Sequence, residues 1–307
     1  MRHEAETLTK GLGGHWAGRR GRAQCPVCEG SGESLSICEA DDGRLLLTCF
    51  RNCTFRDILD VSISRGLLAG RKRDYHPPSL ADLRKIREQA EAEKRGRIDY
   101  ARKIWRQGQP IADTPAERYL RERGLRGPFP ETLRFTPSLK HGPTGAYLPA
   151  MLAAVAVSPS RDVVGLHRTF LAGGREGWTQ APVTQSKMMI GPCTGGAVRL
   201  AQVVDHLAVC EGIETGLSVQ QRFEMPTWAG LSTSGIRGLV LPDEVRRVDI
   251  YCDHDQSKKP DGTEFNPGLE AAQKAADGWL AQGKKVKIHM PTTPKTDFND
   301  VLLGSAA

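Results

Sequence analysis

The chain has 307 residues, with 43 Lys and Arg against 36 Asp and Glu and 39% apolar residues. That is an ordinary globular balance with room for two or three domains. No apolar run approaches the ~18 residues a membrane-spanning helix needs, and the N-terminus holds no signal-type apolar core, so a cytoplasmic location without a membrane partner is expected. The net charge of +7 is uneven: residues 201–307 carry 11 basic against 15 acidic side chains, a net of −4, which leaves +11 on residues 1–200. A basic N-terminal part beside an acidic C-terminal part suits a polyanion gripped by one and processed by the other. The same balance is also common among cytosolic proteins of other kinds.

Residues 1–65 contain Cys25-Pro26-Val27-Cys28 and Cys49-Phe50-Arg51-Asn52-Cys53. Short strands are expected over Leu35 to Ile37 and Arg44 to Thr48, around an Asp41-Asp42-Gly43 turn. Two tight cysteine pairs joined by a hairpin supply four soft ligands for a tetrahedral ion, the pattern of a zinc ribbon. A β domain this small needs such a metal to fold. The eight cysteines of the chain point to metal ligands and buried thiols in place of disulfides. Cys38 and His15 fall outside both pairs and are left out of the ligand set.

Residues 66–126 read as a basic helical segment. A long charged helix is expected over 79–108, with Ser79 as its cap and Leu83, Ile86 and Ala90 as a partial apolar stripe. From Arg71 to Arg106 the chain holds 12 basic and 6 acidic residues. This is a solvated face or a contact to a nucleic-acid backbone. A second helix begins at Thr114-Pro115, with Thr as cap and Pro at its first position, and stops near Gly124. Its Tyr119 and Leu120 are expected in the core. Residues 127–200 form a basic, strand-rich mixed α+β part. Ala153 to Val157 and Val163 to Leu166 are expected to be neighbouring strands around the turn at 158–162.

Residues 201–307 read as α/β, a mostly parallel sheet flanked by helices. The apolar run His206 to Cys210 leads into Glu211-Gly212, and Val248 to Cys252 leads into Asp253-His254-Asp255. Runs of this length are expected as buried parallel strands, and chemistry in open α/β sheets gathers at strand carboxyl ends. Glu211, Asp253 and Asp255 are therefore expected at one spot. Asp253 and Asp255 would point the same way on extended backbone, with His254 opposite. Carboxylates forced together repel unless a divalent cation lies between them, and hard oxygen ligands favour Mg²⁺ or Mn²⁺. Such a site suits phosphoryl transfer or phosphodiester chemistry. Cys210 and Cys252 are expected as buried small hydrophobes, and Trp228, Trp279 and Leu280 as core. No GxxxxGK[ST] sequence occurs in the chain, so it holds no P-loop motor of its own.

Glu-Gly at one strand end with Asp-x-Asp at a later one resembles the Toprim domain of primases and of type IA and type II topoisomerases. Upstream, Val163-Val164-Gly165-Leu166-His167-Arg168, Lys187-Met188-Met189-Ile190-Gly191-Pro192 and Ala197-Val198-Arg199-Leu200 resemble the segment before Toprim in bacterial-type primases. With the N-terminal zinc ribbon, the order resembles a primase of the phage, plasmid or integrated-element kind. Glu211 to Gly216 and Asp297 to Asp300 resemble variants found in that group. The resemblance implies a DNA primase that makes short primers on single-stranded DNA from NTPs or dNTPs, with Mg²⁺ (or Mn²⁺) and Zn²⁺. It implies Glu211, Asp253 and Asp255 as catalytic metal ligands, with Glu211 alternatively a base. Arg168 and Lys187 would lie at template or nucleotide, and Cys25, Cys28, Cys49 and Cys53 at zinc. Glu214, Asp297 and Asp300 are secondary candidates, as outer partners or as helix caps and surface carboxylates.

The chain departs from that pattern in three ways. Residues 256–264 lengthen the loop after Asp-x-Asp, the ribbon has four cysteines where a histidine is common, and no helicase is fused, so either a helicase would act in trans or the chain is not a replication primase. A metal-dependent nuclease and a non-catalytic single-strand-binding or priming accessory factor remain the alternatives. Five tyrosines and no room for a strand-gating domain argue against a topoisomerase.

Overall fold

The computed structural model describes residues 4–18, 20–29, 32–40, 43–51, 53–68, 80–175, 177–258 and 264–304. The chain divides into two units, Met1–Pro78 and Ser79–Ala307.

The first unit runs α1 (Glu4–Gly11), β1 (His15–Trp16), β2 (Arg20–Ala23), β3 (Leu35–Glu39), β4 (Leu45–Cys49) and α2 (Phe55–Ser64). The strands form one antiparallel sheet in the order β1-β2-β3-β4. β3 and β4 pair from Leu35↔Cys49 to Glu39↔Leu45, the hairpin expected from the sequence; Asp41 and Asp42 of its turn lie outside the described residues. Alternation along β2 and β4 sends Ala23, Leu47 and Cys49 inward, against Leu8 of α1 and Ile58 of α2. Thr54 caps α2, its hydroxyl accepting from the Asp57 N–H at 3.2 Å. Cys25 and Cys49 are themselves members of this small core.

The second unit opens with α3 (Leu80–Gln107), β5 (Gln109–Pro110) and α4 (Pro115–Glu122), followed by β6 (Leu133–Lys140), β7 (Tyr147–Val157), β8 (Gly165–Gly174), β9 (Gly177–Gln180), β10 (Lys187–Ile190) and β11 (Gly196–Arg199). The α/β part follows as β12 (His206–Cys210), α5 (Ile213–Phe223), β13 (Thr227–Ala229), α6 (Thr233–Gly238), β14 (Arg247–Tyr251), β15 (Ser257–Lys258), β16 (Glu264–Phe265), α7 (Pro267–Ala281), β17 (Lys285–His289) and α8 (Phe298–Leu302).

One sheet crosses this whole unit in the order β10-β8-β7-β11-β13-β12-β14-β17. Its first half is antiparallel; from β13 onward it is parallel. β7 is long enough to pair along one edge with β6 and then with β11, and along the other with β8. The strand-rich and α/β segments are thereby joined by hydrogen-bonded strands.

Alternation gives the parallel half two packed faces. Leu207, Val209, Val248 and Ile250 pack with Trp228, Trp279 and α7, while Ala208, Cys210 and Tyr251 pack with α4, α5 and Phe298 of α8. Asp249 sits on the second face between two imidazoles, His206 Nε2 at 2.8 Å and His289 Nε2 at 2.7 Å. Burial raises its pKa, but these two hydrogen bonds bring it below the usual value. α5 lies close on the sheet at Gly216, where an added Cβ would come within 2.6 Å of Leu200 and 2.9 Å of the Cys210 sulfur.

Thr114 and Pro115 start α4 as expected, and Tyr119, Leu120, Trp228, Cys210 and Cys252 are all buried. Leu280 is a correction: it is 53% exposed, because neighbours on a helix diverge by about 100° and Trp279 occupies the face toward the sheet. Ala90 is also exposed. The side chains of Leu83 and Ile86, and the Ser79 cap, lie outside the described residues. Among the described residues no helix is long and apolar enough to cross a membrane.

Candidate active site and metal cluster

In the first unit the sulfurs of Cys25, Cys28, Cys49 and Cys53 all lie within 4.8 Å of one another, with Cys28 and Cys49 at 3.8 Å. The Arg51 N–H donates to Cys49 Sγ at 3.3 Å, the kind of support a thiolate takes from backbone. Burial, and then the neighbouring sulfurs, push the Cys53 thiol up to about 12. Four thiols crowded this way resist ionising together, and a bound divalent cation reverses that balance. Cys38 lies outside the cluster, on β3 where Ser36 and Cys38 alternate with the core residues Leu35 and Ile37.

The second site stands at the carboxyl ends of β12 and β14, which are in register from His206↔Arg247 to Cys210↔Tyr251. Glu211 leaves β12 directly, and Asp253 follows β14 by two residues, so the two meet at one cavity of about 180 Å³. The backbone there is pinned from several sides. The Leu231 N–H donates to the Glu211 carbonyl at 2.8 Å. The His254 N–H donates to the Thr296 carbonyl at 3.0 Å, and His254 Nδ1 lies 2.9 Å from the Pro291 carbonyl. Asn266 caps α7 and donates through Nδ2 to the Asp253 carbonyl at 3.4 Å.

Burial and then the charges of Asp297, Glu211 and Asp255 push the Asp253 carboxyl up to about 7. Burial and then Asp255 raise Glu211. Asp253 Oδ1 is buried and has no hydrogen-bond partner among the described residues. An orphaned carboxylate oxygen among crowded acids fits a hard cation. Asp255 is exposed and is not among the residues lining the cavity, but it lies near enough for its charge to act on Glu211 and Asp253.

Lys187 of β10 lines the same cavity and pairs with Glu214 of α5 at 3.0 Å. Glu214 is 4% exposed and also accepts from the Tyr119 hydroxyl of α4 at 2.7 Å. Burial alone would raise its pKa, but the Lys187 ammonium and the Tyr119 hydroxyl more than offset that and hold it at about 2. Asp297 lines the cavity too, while capping α8 through bonds from the Asn299 and Asp300 N–H groups. Asp300 completes the capping box, accepting from the Asp297 N–H at 3.0 Å.

Arg168 is not brought to this cavity. Lys187↔Thr169 and Met189↔His167 pair on one face of β8, and Arg168 alternates to the other. There Arg168 donates to the Met189 carbonyl at 3.2 Å and lies over the Phe170 ring. In its place the cavity receives His167, with Arg123 from the turn after α4. The sequence reading missed both. His167 adjoins the arginine singled out, and only the sheet register decides which of the two faces inward. Nothing local separates Arg123 from its neighbouring arginines.

Residues 206–307 match the Toprim domain family, and residues 95–200 match DUF7146, a domain of unknown function. No curated protein matches the chain. Among solved structures, a DNA primase domain from Pseudomonas aeruginosa is similar at 14% identity and TM-score 0.40, over 68% of this chain and 75% of its own. The Aquifex aeolicus primase, with zinc-binding and RNA polymerase domains, is similar at 12% identity and TM-score 0.37, over 99% and 83%. The primase fragment of the bacteriophage T7 primase-helicase is similar at 13% identity and TM-score 0.35, over 90% and 91%. Strand ends bearing Glu211 and Asp253, in a mostly parallel sheet flanked by helices, thus belong to a recognised family: the C-terminal part of this chain, residues 206–307, is a Toprim domain.

Proposed function

We propose that the chain is a DNA primase, joining NTPs or dNTPs into short primers on single-stranded DNA by metal-dependent nucleotidyl transfer. The observation that carries this reading is the convergence of Glu211 and Asp253, from adjacent strand ends of a Toprim domain, on a cavity that also receives Lys187 from the preceding segment. A four-cysteine cluster in the first unit adds the second metal site the reading requires.

Glu211 and Asp253, with Asp255 beside them, are the residues that would hold Mg²⁺ or Mn²⁺. The bound ion supplies charge neutralisation and alignment for displacement at the α-phosphate. Lys187 sets a positive charge beside these carboxylates, and its tie to Glu214 fixes its direction. Glu211 serves as a ligand or takes the proton of the attacking 3′-hydroxyl. Leu231, Asn266 and the 291–297 segment hold the backbone of the site still, so less reorganisation is left for the reaction. Cys25, Cys28, Cys49 and Cys53 would hold Zn²⁺ and, through it, the fold of the first unit.

The test is incubation of the purified protein with single-stranded DNA, labelled NTPs or dNTPs, and Mg²⁺ or Mn²⁺, beside Asp253→Ala. Short labelled products from wild type alone are expected. Shortened template without new products would mean a nuclease. Bound DNA without turnover would mean an accessory factor.

A further inference from the structure

β17 is the last strand in the order of the long sheet, so among the described residues one of its edges has no strand beside it. The Lys285 N–H donates to the Arg246 carbonyl at 2.8 Å, and the His289 carbonyl accepts from the Cys252 N–H at 3.0 Å, both on the β14 side. In a parallel strand the N–H and C=O of one residue point to one side and those of the next residue to the other. Val286 and Ile288 therefore turn theirs to the open edge. Such a row of N–H and C=O groups is a template for another chain. The start of the strand is held in place: Lys284, 8% exposed, donates through Nζ to the Val245 carbonyl at 2.7 Å and to the Pro242 carbonyl at 3.1 Å.

The two faces of this edge differ in chemistry. Val286 and Ile288 are half-buried against the apolar core that contains α7. On the other face the register sets Lys285 beside Arg247, Lys287 beside Asp249 and His289 beside Tyr251. Helices cover only the last of these rows, where Phe223 of α5 and Phe298 of α8 lie on the Tyr251 ring. Lys285 and Lys287 are exposed. Asp249 is already taken up by its two imidazoles, and Arg247 pairs with Asp205 at 3.1 Å. Neither lysine has an ion-pair partner among the described residues. Lysines on an open edge repel a second copy of that edge, but they attract an acidic strand.

We infer that the outer edge of β17 is a docking site for an extended segment of a partner protein in which acidic and apolar residues alternate. The segment adds as a further strand. Its backbone pairs with Val286 and Ile288, and its side chains alternate between the faces. The acidic ones lie beside Lys285 and Lys287, and the apolar ones extend the core past Val286 and Ile288. A nucleic acid would meet the lysines alone and leave the backbone row unpaired, so a peptide fits this edge better. No residue of β17 lines the cavity at Glu211 and Asp253 or belongs to the cysteine cluster, and the docking site does not depend on the primase reading.

The test follows a fluorescent hexapeptide of alternating Glu and Val, by anisotropy, as it binds the full-length protein. A Lys–Val hexapeptide and oligothymidylate run in parallel, and hydrogen exchange is measured with and without the Glu–Val peptide. Wild type is expected to bind the Glu–Val peptide about tenfold more tightly than the Lys–Val peptide, with exchange slowed across residues 284–290. Lys285→Glu together with Lys287→Glu is expected to weaken that binding about tenfold. Val286→Pro removes one outward N–H at a place where an edge strand tolerates proline, and should weaken binding with both lysines present. The lysine substitutions lie at the surface, so the test stands even where the proline variant fails to fold. Primer synthesis should be unchanged by the lysine substitutions. Failure of wild type to bind the Glu–Val peptide overturns the docking site, as does slowed exchange confined to other residues. Oligothymidylate binding that the lysine reversals weaken and the proline leaves intact, without peptide binding, gives the face to nucleic acid. Slow exchange of this edge in the free protein that is lost on dilution gives it to a second copy. Either result also overturns the proposal.

Discussion

Glu214→Gln separates the outer metal partner that the sequence offered for this residue from the buried structural anchor that its contacts make of it. Glu214 is 4% exposed, paired with Lys187 at 3.0 Å and with the Tyr119 hydroxyl at 2.7 Å, and its pKa falls from the model-peptide 4.5 to about 2. At about 1.4 kcal/mol per unit that depression corresponds to ~3 kcal/mol of stability in the ionised form. Glutamine keeps a partner for Tyr119 but leaves the Lys187 ammonium without its counter-charge. Because Lys187 is 38% exposed, water recovers part of the loss, and the expected cost at pH 7 is about 2–3 kcal/mol. The folded-state pKa lies below the unfolded one, so this contribution is fully present above about pH 4.5 and is lost as pH falls toward 2. The gap between wild type and variant should therefore close over that window. Urea unfolding followed by tryptophan fluorescence reads it, since four of the five tryptophans lie beyond residue 79. The midpoint should drop with the m-value unchanged, in EDTA as well as in Mg²⁺. A variant within about 0.5 kcal/mol of wild type in EDTA, and deficient only in its Mg²⁺-dependent stabilisation, would make Glu214 a metal partner and refute the anchor.

Three further outcomes are expected. Cys28→Ser should lower bound zinc, measured by metal analysis, and speed hydrogen exchange within residues 4–68, because Cys25 and Cys49 of the cluster belong to that unit's core and Cys28 and Cys53 pack against it. Asp253→Asn should raise the thermal midpoint in EDTA by removing the charge of a crowded carboxylate whose Oδ1 has no hydrogen-bond partner among the described residues, while abolishing the rise that Mg²⁺ gives wild type; a fall in EDTA would contradict the crowding. Trp228→Ala, at 1% exposure, should cost about 3–5 kcal/mol, whereas Leu280→Glu, at 53% exposure, should stay within about 0.5 kcal/mol in the same urea titration.

Local signals in the sequence sufficed wherever the deciding interaction is short-range. The cysteine spacing and the hairpin between the pairs determine the metal cluster, since both pairs are held by turns a few residues long. Thr114-Pro115 and Asn266-Pro267 mark helix starts because capping is a bond between residues three apart. Apolar runs ending in Glu211 and in Asp253 identify strand ends, because parallel strands buried on both faces must be apolar throughout. What only the tertiary structure decided is register and facing between distant segments. His167, and not Arg168, enters the cavity because β8 pairs with β10 in one register and not its neighbour, and a one-residue slip exchanges the faces of a strand. Asp255, two residues further along the loop than Asp253, is exposed and is not among the residues lining the cavity, though its charge acts on Glu211 and Asp253. Arg123, Glu214 and Lys187 reach the same cavity from the turn after α4, from α5 and from β10 only after one sheet has joined the two halves of the second unit. No spacing along the chain encodes a meeting that long-range packing alone creates.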